Sequence, residues 1–88
     1  MDMAMQSPGA GVFELDCHGM TWLQAQTAVE AALRRARPGT YRIRVIHGYR
    51  SGTVIHDHLR QSYRSHPKVI RLEVGFNQGV TDLVLREF

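Results

Sequence analysis

The sequence predicts an α/β domain, a two-layer sandwich in the order β-α-β-α-β-β with two helices on one face of a four-stranded mixed sheet. Three observations carry this reading. Residues 21–37 and 53–65 place apolar side chains at helical spacing. The short stretches between and after them alternate with period two, as half-buried strands do. The last two such stretches flank Asn77-Gln78-Gly79, the composition of a tight turn, and so read as an antiparallel hairpin.

Residues 1–11 carry Met, Gln, Ser and Pro with small residues and no periodicity, and are expected to form a flexible leader to a domain over 12–88. Residues 12–16, Val-Phe-Glu-Leu-Asp, alternate apolar with acidic and form the first strand. His18-Gly19-Met20 breaks it. Thr21 with Gln24 is a capping box, and Trp22, Ala25, Val29, Ala32, Leu33 and Ala36 follow on one stripe. Arg34, Arg35 and Arg37 complement the dipole of the last turn, and Pro38-Gly39 ends the helix.

Residues 41–46 are the second strand, expected parallel to the first through a right-handed crossover. Tyr41, Ile43 and Val45 point to one side. Arg42 and Arg44 point to the other, which reads as a wet, basic face. A glycine-containing loop, 47–52, leads to the second helix, whose stripe is Val54, Ile55, Leu59 and Tyr63 and which His66-Pro67 stops. Residues 68–76 and 80–88 are the hairpin strands. The expected core contains Leu15, Leu23, Val29, Leu33, Val45, Ile55, Leu59 and Leu83.

The chain of 88 residues is long enough for one domain and one modest core. A single cysteine, Cys17, excludes an internal disulfide and a CxxC zinc site, and fits a reducing compartment. There is no signal-peptide pattern and no apolar run near the roughly 20 residues a membrane span needs, so the expected location is the cytoplasm, with no membrane partner. The formal charge of +3 comes from ten arginines and one lysine against eight acids. Arginine matches phosphate bidentately and stacks on bases, so the excess suits DNA or RNA as partner. The oligomeric state is not legible, a monomer being the simplest expectation.

Two loops stand where chemistry is expected, each between the C-terminal end of a strand and the start of a helix: 15–21 (Leu-Asp-Cys-His-Gly-Met-Thr) and 46–53 (Ile-His-Gly-Tyr-Arg-Ser-Gly-Thr). At that edge of an open sheet, helix N-termini offer N–H groups and partial positive charge to an anion. Side by side, the loops would bring Asp16, His18 and His47 around one phosphodiester, and a His–carboxylate pair there is an acid–base device. Gly19, Thr21, Gly48, Tyr49, Arg50, Ser51, Gly52 and Thr53, with Arg42 and Arg44, are the expected nucleic-acid contacts.

This pair of His-Gly motifs, with a helix between them and a closing hairpin, resembles the Smr (small MutS-related) domain family, whose signatures read approximately Leu-Asp-x-His-Gly and His-Gly-x-Gly-x-Gly. Asp16 and His18 match the first; His47, Gly48 and Gly52 match the second. The resemblance implies a fold like the C-terminal domain of bacterial initiation factor three, nucleic-acid binding and, as in several members, DNA nicking or RNA cleavage. Two positions depart from the pattern. Arg50 stands where the middle glycine is expected, and Cys17 replaces an aliphatic residue.

His56 and His58, two apart on a helix, point to different faces and cannot chelate one metal together. No cluster has the ligand count of a structural zinc site, so no cofactor is expected beyond a transient Mg²⁺ held by Asp16 and a substrate phosphate. Three classes stay open: a nucleic-acid-binding endonuclease, a binding-only module, and a protein-interaction or small-phosphate-binding domain that keeps the fold.

Overall fold

The computed structural model describes residues 5–9, 11–48, 52–75 and 77–87. Their elements are β1 (Met5–Gly9), β2 (Val12–Asp16), α1 (Trp22–Arg35), β3 (Arg42–Ile46), α2 (Gly52–Tyr63), β4 (Arg71–Val74) and β5 (Val80–Val84). The mixed sheet runs β1-β2-β3-β5-β4. β2 and β3 are parallel, and β3–β5 and β4–β5 are antiparallel, so the expected four-stranded sheet and closing hairpin are present.

Residues 5–9 correct the flexible-leader expectation, because they form a fifth strand antiparallel to β2. Met-Gln-Ser-Pro-Gly has no strand pattern to read. What makes the strand is the unpaired edge of β2, and Pro8, which lacks an amide proton, is tolerated because β1 is itself an edge.

α1 begins as its sequence dictates. Thr21 Oγ1 accepts the Gln24 amide proton at 3.2 Å, and Gln24 Oε1 accepts that of Thr21 at 3.0 Å. Ala25, Val29, Ala32 and Leu33 of α1 and Ile55, Leu59 and Tyr63 of α2 pack into one core with Leu15, Ile43, Val45 and Leu83. The cross-strand register puts those four strand residues on one face, so both helices cover the same side of the sheet. The Tyr63 hydroxyl donates to Glu30 at 2.6 Å and ties α2 to α1. Among the described residues no helix is long and apolar enough to cross a membrane.

Val54 of the expected α2 stripe is 55% exposed, and in the expected core Leu23 is the exception, at 71% exposure. It lies one step round the helix from the buried stripe, on the side that carries Thr27 and Glu30. Trp22 is half-buried against the core and stacks on His58, with ring centroids 4.9 Å apart.

The opposite sheet face is not the open basic surface the sequence suggested. Asp82, only 2% exposed, accepts from Arg42 Nη1 at 2.7 Å and from Arg44 Nε at 3.3 Å. Glu73 accepts from Arg42 at 3.1 Å and from Arg71 at 2.7 Å. Register explains the network, since Arg44, Asp82 and Glu73 are direct cross-strand neighbours. Arg71 and then Arg42 hold the Glu73 carboxyl below its ordinary range.

Candidate functional site

β2 delivers Asp16 to the edge of the sheet, and Cys17 continues the parallel ladder by donating its amide proton to the Ile46 carbonyl at 2.8 Å. That bond fixes where the first loop leaves the sheet. The Cys17 thiol is buried, and burial pushes its pKa up to about 11, so it is a small hydrophobe rather than a nucleophile. Asp16 and His18 are both exposed. Asp16 Oδ1 lies 2.6 Å from His18 Nδ1 and 3.3 Å from the His18 amide nitrogen.

One carboxylate oxygen thus holds both the backbone and the ring of His18. A carboxylate only accepts, so Nδ1 carries the proton and Nε2 is the nitrogen left for chemistry. The bond to Asp16 raises the His18 pKa and, reciprocally, lowers that of Asp16. The next residue, Gly19, takes a left-handed backbone (φ 77°) and leads to the capped start of α1.

The second loop is anchored from an unexpected quarter. The amides of His47 and Gly48 both donate to the Gly79 carbonyl, at 2.9 and 3.0 Å, so the turn between β4 and β5 forms part of the site. Gly48 has φ 79°, and a Cβ built on Gly79 would lie 3.3 Å from the Gly48 Cα. Both glycines are needed for the backbones to meet this closely.

His47 does not face His18 across a cleft. It is 3% exposed, with Nδ1 3.0 Å from its neighbour's carbonyl, Gly48 O, and Nε2 2.8 Å from Thr81 Oγ1. The carbonyl requires the proton on Nδ1, so in the neutral ring Nε2 accepts and the Thr81 hydroxyl donates. Thr81 Oγ1 then accepts from His56 Nδ1, 2.9 Å away. Burial lowers the His47 pKa, favouring that neutral ring. His47, read from sequence as a proton-transfer candidate, is therefore a clasp: both ring nitrogens are used, and they tie the second loop to β5 and α2.

The two loops do lie side by side. A side chain on Gly48 would begin 3.8 Å from the His18 Cβ. Thr21 uses its hydroxyl as the α1 cap. Arg42 and Arg44 belong to the other sheet face and its acid network, away from these loops. Gly52 and Thr53 open α2. Tyr49, Arg50 and Ser51 lie outside the described residues. Among the described residues no group of three or more His, Cys, Asp or Glu side chains is placed to hold a metal ion.

Thr81, His56 and Gly79 were missed by the sequence reading. A faint signal existed for Thr81: it shares its strand face with Leu83, so its hydroxyl had to meet a partner under α2.

The Smr domain family model matches residues 15–81, from the strand before the first loop to Thr81. The chain belongs to the Smr domain family. Among solved structures, this Smr domain is similar to the Smr domain of Thermus thermophilus MutS2, with a TM-score of 0.71 and 29% identity. The match covers 84% of this chain and 98% of that one. No curated protein matches the chain by sequence.

Proposed function

We propose that this Smr domain binds the phosphodiester backbone of DNA or RNA at its two His-Gly loops, and cuts it there with His18 as the proton-transfer group. The observation that carries the reading is the exposed Asp16–His18 pair, 2.6 Å apart, at the sheet edge beside the start of α1. The raised pKa of His18 keeps more of the ring as imidazolium near neutrality, which suits a phosphate partner and an acid. In the cleavage step an attacking water or 2′-hydroxyl oxygen bonds to phosphorus and gives up its own proton to a solvent water. The bond to the leaving oxygen breaks, and His18 Nε2 gives that oxygen its proton. Amides at the helix starts stabilise the charge on the non-bridging oxygens. Asp16 holds the ring in place through Oδ1.

A binding-only domain is the second reading, and Arg50 favours it. A side chain replaces the family's glycine where backbone would approach phosphate, and Arg50 can meet the phosphate through its own guanidinium instead.

Binding is tested by fluorescence anisotropy with an unstructured strand and a duplex over a salt series. The logarithm of affinity is expected to fall linearly with the logarithm of salt. An affinity flat in salt would point to a protein partner and overturn the reading. The clasp has its own test. Thr81→Val keeps the shape but removes the donor to His47 Nε2 and should cost about 1–3 kcal/mol in urea unfolding. A loss within about 0.5 kcal/mol would show that the hydroxyl bridge does not matter.

A further inference from the structure

A groove of about 280 Å³ runs between α2 and the edge strand β4, beginning at Thr81 and His56 beside the second loop. His56 and Arg60 line it from α2, and Arg64 lines it from the turn just past the helix end. The Arg64 amide still donates to the Arg60 carbonyl at 3.2 Å, so the four-residue spacing keeps all three on one side, rising about 6 Å per step. The arginines differ from those on the open sheet face. Arg42 and Arg71 are paired with acids, whereas among the described residues neither Arg60 nor Arg64 is in an ion pair. The one acid in the groove wall, Glu73, is already held by Arg42 and Arg71. The opposite wall exposes two aliphatic side chains, Ile70 at 50% and Val74 at 62%.

A row of uncommitted guanidinium groups facing an apolar strip has the polarity of a single nucleic-acid strand, with phosphates on one side and base faces on the other. The register fixes the direction. Val74 pairs with Thr81 at the loop end, and Arg71 pairs with Val84 at the far end, so the groove leads straight away from the loops.

We infer that this groove is an extended binding surface for one sugar–phosphate strand, with successive phosphates on Arg60 and Arg64 and bases against Ile70 and Val74. It rests on the reading that the His-Gly loops bind phosphodiester, and it adds a track along which the strand continues. Affinity should therefore grow with strand length beyond what the loops alone can cover.

The test uses labelled oligothymidylates, a trinucleotide and one of about twelve nucleotides, with the native chain and the Arg60→Gln/Arg64→Gln double variant. Both side chains are exposed, and urea unfolding checks that the variant keeps its fold. The variant is expected to bind the long strand about tenfold more weakly, with a salt slope shallower by about 1.4. Trinucleotide binding should stay within about twofold, because that ligand reaches only the loops. A variant that matches the native chain on the long strand, slope included, overturns the groove and leaves the loop reading standing. A native chain that binds neither strand removes both.

Discussion

Leu33→Ala is expected to lower the unfolding free energy by about 2–5 kcal/mol, a large share of the 5–15 kcal/mol typical of a domain. Leu33 is 2% exposed on the buried stripe of α1, in the core that α2 and the sheet also line. The truncation loses transfer free energy and leaves a cavity that two helices on one sheet face cannot close independently. Leu23→Ala is the matched control. The same chemical change at 71% exposure should cost no more than about 0.5 kcal/mol beyond the small propensity gain of alanine. Urea melts with an unchanged m-value measure both. Equal losses, or a Leu33 loss below about 1 kcal/mol, would mean that α1 presents a different face to the sheet.

What was legible in the sequence was local. The α1 start is written in Thr21 and Gln24, and its buried face in the spacing of Ala25, Val29, Ala32 and Leu33; both are as read. The two loops announced themselves because the residues that form them are contiguous. β1 was not legible, since Met-Gln-Ser-Pro-Gly is made a strand by its neighbour's edge and not by its own pattern. β4 is shorter than the expected 68–76, because the chain first turns on His66: the Lys68 amide donates to His66 Nδ1 and the Val69 amide to its carbonyl.

The same division holds within the site. Asp16 and His18 are two residues apart, so their pairing was readable. The partners of His47 come from Thr81 and, through it, His56, and only the β3–β5 register and the docking of α2 bring them there. Arg42 and Arg44 looked like a basic surface for the same reason in reverse. Asp82, the acid that engages both, lies on a strand some forty positions later. Basic residues on alternate strand positions thus predicted a face correctly and its charge incorrectly.

The two histidines of the motifs are pushed in opposite directions, His18 upward by Asp16 and His47 downward by burial, which separates a group that can deliver a proton from one that stays neutral. His18→Ala is therefore expected to slow nicking of supercoiled plasmid or cleavage of structured RNA by roughly 10²–10⁴-fold, while binding stays within a few-fold because backbone amides and arginines carry affinity. The pH profile gives the sign. An acid must be protonated, so the rate should hold at low pH and fall as pH rises through the raised His18 pKa. Asp16→Asn keeps an acceptor oxygen but removes the charge, so that fall should move to lower pH. His47→Ala should instead damage stability, with a urea midpoint shift accompanying any loss of rate, since its nitrogens serve the clasp. Assays with and without EDTA separate this protonic route from one through a metal ion. If the native protein cuts nothing, or cuts as fast after His18 is removed, His18 is not a catalytic acid, and its ring, held by Asp16, serves to bind phosphate.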